Sequence, residues 1–223
     1  MSSRYVALIP AYNPPPALIN LVKDLCNAGF MIVLINDGSS DSCSSIFDTC
    51  SSRAVILNHV KNTGKGQALK TGLSYIQSNF APDSVVVTVD ADGQQAVKDA
   101  YTLCELAERH HRSLILGCRH FDNQVPLRSI FRSRLTDFMF HRATGIHIRD
   151  PLSGLRAFPF HLIPILLEIS GQRYDYEINV LLHFAHKKLR IYEYPIKSVY
   201  VENNNASHFR MVKTALRKSQ SSS

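Results

Sequence analysis

The chain reads as an α/β protein: a single Rossmann-like domain with a mostly parallel central sheet and helices on both faces. Three observations predict this. Five short apolar runs, Tyr5–Ile9, Met31–Ile35, Ala54–Leu57, Val85–Val89 and Leu114–Gly117, have strand character. Between them lie helical patterns at Ala17–Ala28, Asp41–Cys50, Gly66–Asn79 and Val97–His110, and regular βαβα spacing calls for crossovers and parallel strands. At 223 residues, 45% hydrophobic and 19% charged, the chain can bury one substantial core and is not a disordered polymer.

Each element has its own justification. The first helix carries Leu18, Leu21, Val22 and Leu25 on one face and stops at Gly29, a natural residue for the left-handed position after a helix. The run Val85-Val86-Val87-Thr88-Val89 is continuously apolar and β-branched, as a strand buried on both faces should be. The second half is less regular. From Leu127 to Gly145, Arg128, Arg132, Arg134, His141 and Arg142 alternate with Phe131, Leu135, Phe138, Met139 and Phe140. That pattern suits an amphipathic helix, lying either on an anionic membrane surface or on the core with a solvated basic face. A helix is expected over Tyr176–Lys188 and a strand over Leu189–Tyr194, with Pro195 marking a sheet edge. Residues 1–210 form the domain, and 211–223 form a basic, Ser-rich tail expected to be partly disordered.

Bulk properties narrow the function classes. The net charge of +7 implies an anionic partner: phosphate, nucleic acid or a membrane surface. No recognised nucleic-acid-binding motif accompanies the charge, so no nucleic-acid partner is expected. The five cysteines, Cys26, Cys43, Cys50, Cys104 and Cys118, are odd in number and scattered, which fits reduced cytosolic thiols and not a disulfide framework or zinc site. Cys118 has no His–acid arrangement nearby and reads as a buried thiol. The apolar stretch Tyr5–Ile9 is too short for a signal peptide. No window approaches the roughly 18–20 apolar residues of a membrane span. The run Leu162–Leu167 is the closest and is interrupted by Pro164.

Four polar loops fall where a parallel sheet gathers its chemistry, at strand carboxyl ends. They are Pro10-Ala11-Tyr12-Asn13, Asn36-Asp37-Gly38-Ser39-Ser40-Asp41, Asn62-Thr63-Gly64-Lys65-Gly66 and Asp90-Ala91-Asp92-Gly93-Gln94. Asp37 can accept from a base N–H or a sugar hydroxyl. The Gly64-Lys65-Gly66 turn lets backbone and ammonium approach an anion at a helix N-terminus. Asp90 and Asp92 repel each other unless a cation sits between them, and a divalent metal bound to a pyrophosphate meets that need with oxygen ligands. A plain polar turn is the competing reading of this pentapeptide. The Walker spacing is missing, and so is a GxGxxG after the first strand, which argues against a dinucleotide-binding oxidoreductase.

Together these motifs resemble those of family 2 glycosyltransferases, inverting enzymes of the GT-A fold, and within them the polyprenyl-phosphate sugar transferases of the dolichyl-phosphate mannose synthase type. Gly117-Cys118-Arg119, the arginines after Pro126, Asp150-Pro151-Leu152-Ser153-Gly154-Leu155-Arg156, Tyr174-x-Tyr176-Glu177, Glu193-Tyr194-Pro195-Ile196 and Ser207-His208-Phe209 extend the likeness over roughly residues 4–210. The resemblance implies a nucleotide-sugar donor held by Pro10, Tyr12, Asn13, Asp37, Lys65, Asp90 and Ala91. It implies Mg²⁺ or Mn²⁺ on Asp90, Asp92 and Gln94, and an acceptor phosphate held by Arg119, Arg128 and Arg132, with Arg134 competing for the last role and Ser153 close by. It places the protein in the cytoplasm, peripheral at the inner face of an anionic membrane, with an integral-membrane partner protein an added expectation for a chain without a span of its own.

Two departures stand out: Asn36 where many members have Asp, and Pro14 where they often have Glu. If the acceptor is a lipid phosphate, the nucleophile is already anionic and needs no strong base. If it is a sugar or protein hydroxyl, a carboxylate base is required, and Asp150 and Glu177 are the candidates. A catalytically silent nucleotide-sugar-binding module is the reading from a different class.

Overall fold

The computed structural model describes residues 4–119, 136–138 and 140–196. The expectations for Arg128, Arg132 and Arg134, for Ser207-His208-Phe209 and for the 211–223 tail therefore lie outside the described residues. In chain order the elements are β1 (Tyr5–Ala11), α1 (Ala17–Asn27), β2 (Met31–Asn36), α2 (Ser44–Cys50), β3 (Val55–Asn58), α3 (Lys65–Asn79), β4 (Val85–Thr88), α4 (Val97–Arg109) and β5 (Ser113–Arg119). After them come the helical residues 136–138 and 140–144, called α5. The chain then continues through β6 (Arg156–Pro159), α6 (Ile163–Glu168), α7 (Asp175–His186) and β7 (Arg190–Ile196).

The strands form one sheet in the order β3-β2-β1-β4-β6-β5-β7. β1 pairs in parallel with both β2 and β4, β2 with β3, and β5 with β7. Among the described strands only β6 runs antiparallel, wedged between β4 and β5. The chain winds outward from β1 through β2 to β3 and then resumes at β4 on the other side. Strand order thus reverses between β1 and β4, and in open α/β sheets the crevice for a ligand opens at the carboxyl ends of such a pair.

Two apolar layers hold the sheet. Ala7 and Ile9 of β1 face α1, α2 and α4, where Leu18, Leu21, Val22, Leu25, Leu103 and Cys104 are buried. Val6 and Leu8 face the other way, onto Leu69, Leu73 and Ile76 of α3 and onto α6 and α7. At about 1.5–3 kcal/mol for each fully buried large aliphatic side chain, the two layers dominate stability. β4 is buried at all four positions, as its β-branched run requires.

The expected strands and helices of the first half are present with ends shifted by one or two residues, although Asp41–Cys43 forms a 3-10 turn ahead of α2. α7 and β7 also form, and β7 lies at the sheet edge as Pro195 suggested. β6 and α6 had no counterpart in the sequence reading. The apolar run around Pro164 folds as α6, where a proline in the first turn costs no hydrogen bond. The amphipathic reading of the arginine-rich stretch divides at α5: Phe138 is 62% exposed, whereas Phe140 is fully buried in the core.

Candidate active site

All four polar loops converge at the carboxyl edge of β1, β2, β3 and β4, and hydrogen bonds tie them together. Asn13, at φ 46°, accepts the Ser40 N–H on its Oδ1 at 2.9 Å, and its own N–H donates to Ser39 Oγ at 2.9 Å. Asn36 donates to Asn58 Oδ1 at 3.0 Å and accepts the Ser39 N–H at 2.9 Å. Its amide therefore does both a donor's and an acceptor's work, which an aspartate in that place could not. Tyr12 stands 54% exposed beside this network, while Pro10 is still within β1, opposite Ile35 of β2.

Asp37 is only 2% exposed, and its carboxylate is spent on the loop before α3. Oδ1 accepts from Thr63 N–H at 2.9 Å and Thr63 Oγ1 at 2.8 Å and lies 2.7 Å from His59 Nδ1; Oδ2 accepts from Gly64 N–H at 2.9 Å. Burial pushes this carboxyl up, but the Thr63, His59 and Gly64 hydrogen bonds outweigh it and hold the group below the usual carboxylate value. Asp37 thus fixes the loop that precedes α3. Gly64 completes that loop at φ 102°, where a Cβ would come within 2.6 Å of Gln172 O.

The loop delivers Lys65, the first residue of α3, into a cluster of carboxylates. Its Nζ donates to Asp90 Oδ1 at 2.7 Å and to Glu177 Oε1 at 2.9 Å, with the side chain 16% exposed. Burial opposes the ammonium, and the Asp90 and Glu177 charges prevail, so its pKa is raised. Asp90 is latched on its other side by Gln95, whose Nε2 donates to Oδ2 at 2.9 Å and whose Oε1 accepts the Asp90 N–H at 3.0 Å. Burial raises the Asp90 carboxyl, but Lys65 first, then Arg119 and Arg156, bring it below its ordinary value.

Asp92 differs. Its Oδ1 accepts a single N–H, from Gln94 at 3.0 Å, and it is in no ion pair among the described residues. Burial, then the Asp90 charge, push its carboxyl above the ordinary value. An uncompensated carboxylate beside the Gln94 amide is a hard-oxygen donor set that fits Mg²⁺ or Mn²⁺. Among the described residues no group of three His, Cys, Asp or Glu side chains could cage a metal. A cation there would therefore complete its shell with water and phosphate oxygens, as Mg²⁺ commonly does.

The antiparallel strand β6 brings the remaining groups. Thr88 Oγ1 of β4 donates to Gly154 O at 2.7 Å, pinning the Asp150–Gly154 loop against Asp90. A Cβ on Gly154 would lie 2.4 Å from both Asp90 carboxylate oxygens, so only glycine permits that approach. Arg156 is buried and donates to Ser153 O at 2.9 Å, Glu177 O at 2.7 Å and Pro151 O at 3.1 Å. Ser153 is buried within this turn, its N–H reaching Asp150 O at 3.2 Å. Arg119, at the end of β5, holds Asp150 with Nε at 2.6 Å and Nη2 at 3.0 Å.

The structure places both candidate bases, Asp150 and Glu177, away from solvent. Asp150 is fully buried under the Arg119 fork, and Glu177 is buried against Lys65. A general base must reach the proton it removes, and neither carboxylate is presented for that. Gln95, His59, Thr63 and Gly154 had no assigned role in the sequence reading. Arg156 could have been singled out, because an arginine between Leu155 and Ala157 in an apolar run must find buried partners.

A doubly wound sheet whose switch point carries an aspartate pair, a lysine at a helix N-terminus and arginines nearby suits a ligand that carries phosphate. The fold likeness extends to the glucosyl-3-phosphoglycerate synthase of Mycobacterium tuberculosis, solved with Mn²⁺, uridine diphosphate and glucosyl-3-phosphoglycerate. The TM-score is 0.73 at 17% identity, covering 97% of this chain and 80% of that one. Residues 6–164 match the model of glycosyl transferase family 2, and the chain belongs to that family. Among curated relatives, the UDP-N-acetylglucosamine–dolichyl-phosphate N-acetylglucosaminyltransferase of Methanococcus voltae is 28% identical over 221 residues, covering 89% of this chain and 87% of that protein. An undecaprenyl-phosphate 4-deoxy-4-formamido-L-arabinose transferase of Shewanella sediminis is 27% identical over 173 residues, 72% of this chain and 50% of the relative.

Proposed function

We propose that this glycosyltransferase moves a hexose, with inversion, from a UDP- or GDP-linked sugar to a polyprenyl phosphate at the inner face of the cytoplasmic membrane. One observation carries the choice of acceptor: among the described residues, the buried carboxylates of the site are closed on cations or hydrogen-bond donors, leaving Asp92 for a metal and none for a base. A phosphate monoester is anionic at neutral pH and needs no base, whereas a hydroxyl acceptor does. The names of the Methanococcus and Shewanella relatives support the same acceptor class.

The roles follow from chemistry. Asp92 and Gln94 would hold Mg²⁺ or Mn²⁺, which when bound supplies the Lewis acidity that neutralises a departing diphosphate. Lys65 and the N-terminus of α3 face the donor's phosphates, a favourable place for an anion. Asp90 fixes Lys65, and Asp37 fixes the loop that carries it. Arg119, oriented by Asp150, takes the acceptor phosphate together with Arg128 and Arg132, because guanidinium forks orient phosphates and offset repulsion between two phosphorylated substrates. No described helix is long and apolar enough to cross a membrane. Phe138, Arg142, Ile146 and Arg149, all exposed and near one another in sequence, offer a peripheral contact, with roughly 1 kcal/mol per basic residue near anionic lipid.

The test is a donor panel with Mn²⁺ and undecaprenyl or dolichyl phosphate, following nucleoside-diphosphate release and lipid-linked sugar together. Metal-dependent glycolipid from one donor supports the proposal. Donor hydrolysis without glycolipid removes the lipid acceptor, and neither turnover nor donor binding removes the enzyme reading.

A further inference from the structure

The edge of the sheet opposite the site is rich in cations. β5 and β7 begin there, and antiparallel β6 ends there, beside the amino ends of β1 and β4. The chain enters β5 through Arg109-His110-His111-Arg112 and enters β7 through His186-Lys187-Lys188 and Arg190. His161 lies in the 3-10 turn Phe160–Leu162 that follows β6. The fold holds these groups together. Ser113 pairs with Arg190 across β5 and β7. His110 stacks on Tyr192 with ring centroids 4.3 Å apart, and Arg190 Nη1 donates to Tyr192 Oη at 3.1 Å. Burial, then the charges of His111 and Arg112, lower the His161 pKa. Burial, then Lys187 and His186, lower that of His183, with Glu168 opposing them. The patch is exposed apart from half-buried His110 and His183. Among the described residues none of its cations is in a salt bridge.

Like charges gathered without counter-charges repel one another, so this edge calls for an anion. The donor and acceptor site opens at the other edge and does not supply it. The rest of the chain is no better suited. Residues 120–135 carry Arg128, Arg132 and Arg134 against Asp122, and residues 197–223 carry Lys197, Arg210, Lys213, Arg217 and Lys218 against Glu202. A second copy brings the same net charge of +7. The exposed large apolar side chains among the described residues, Tyr12, Met31, Val60, Tyr101, Phe138 and Ile146, all lie outside the patch. It therefore offers no wedge for a bilayer and no stacking platform for nucleobases.

We propose that this edge is a docking surface for an acidic segment of a partner protein, a run of aspartate or glutamate side chains laid across the ends of β6, β5 and β7. Its carboxylates would pair with Arg112, Lys187, Lys188 and Arg190. They would also favour the charged forms of His161 and His183, so docking strengthens as pH falls towards the ordinary histidine value of about 6.5.

The experiment is binding of fluorescein-labelled deca-aspartate to the full chain at low salt, read by fluorescence anisotropy. Arg112→Gln with Lys187→Gln removes two patch cations, and Lys23→Gln with Arg53→Gln removes two exposed cations elsewhere. The patch variant should lose about tenfold or more in affinity and the control less than about twofold. Wild-type affinity should rise severalfold from about pH 8 to about pH 6, and His161→Gln with His183→Gln should flatten most of that rise. No binding by the wild type, no rise with acid, or equal losses in the patch and control variants each overturn the proposal. Oligouridylate and phosphatidylserine vesicles, matched in charge, serve as competitors. Either one displacing the peptide more effectively than unlabelled deca-aspartate, through the same patch cations, overturns it in favour of nucleic acid or membrane. Should a variant not fold, the wild-type binding, its pH dependence and the competition decide.

Discussion

On the β5–β6 side of the site, charge is closed on itself: Arg119 forks onto Asp150, and Arg156 spends its donors on three backbone carbonyls. On the β4 side, Asp90 is latched by Lys65 and Gln95, yet Asp92, two residues further on, keeps a single hydrogen bond from Gln94. The difference separates groups that build the site from a group kept for a ligand. A buried carboxylate with four donors or a guanidinium fork stabilises its surroundings. One with a raised carboxyl pKa and no ion pair costs stability, and such residues mark positions where a cation is expected.

The sharpest way to break this comparison is Asp92→Asn. Metal-dependent donor turnover should fall by about a thousandfold or more, since the ion loses its charged ligand. The melting temperature should hold or rise by a few degrees, because an uncompensated charge is removed. A drop in melting temperature with turnover retained would place Asp92 with the structural carboxylates.

Arg119→Ala tests the opposite side. It leaves Asp150 buried and unpaired, so stability should fall by about 3 kcal/mol in urea unfolding, and the apolar pair Arg119→Met with Asp150→Leu should recover most of it. Recovery of stability without recovery of acceptor use would separate Arg119's packing from its proposed phosphate contact.

Gly154→Ala should cost about 1–3 kcal/mol by crowding the Asp90 carboxylate, and should weaken donor binding more than a surface substitution of equal cost. An unchanged donor affinity would show that the β6 loop does not position Asp90.

The smallest effect is on pH. The Asp92 carboxyl is raised, so binding of Mn²⁺ with nucleoside diphosphate should fade as pH drops through a midpoint above the ordinary carboxylate value of about 4. Asp37 and Asp90 are lowered, so the stability they contribute is present above that value and is lost only as pH falls through their depressed folded values. Binding should therefore disappear at a higher pH than the fold. Coincident losses would contradict the separation.

The two halves also differ in how far they could be read in advance. Each strand from β1 to β5 is an apolar run followed by a turn signal and a helical period, and local patterning suffices for that. The four loops were legible for the same reason, since parallel strands send their carboxyl ends to one edge. β6 was not legible: it is four residues long, begins with Arg156, ends with Pro159, and pairs with strands far away in sequence. Its place is set by Thr88, Gly154 and the buried arginine, which no local period records. The partners of Asp37 and Asp150 were not legible for a related reason. A sequence shows that a carboxylate is present, while its partners, His59, Thr63 and Gly64 for one and Arg119 for the other, are chosen by the fold.

The central claim is that the site serves an acceptor that arrives already charged. The most direct measurement offers the enzyme, with its preferred donor and Mn²⁺, a polyprenyl phosphate and the corresponding polyprenol under identical conditions. The account predicts lipid-linked sugar from the phosphate alone, at a rate that does not follow a catalytic carboxylate. Product from the alcohol in preference to the phosphate would contradict it, because no described carboxylate is placed to deprotonate a hydroxyl.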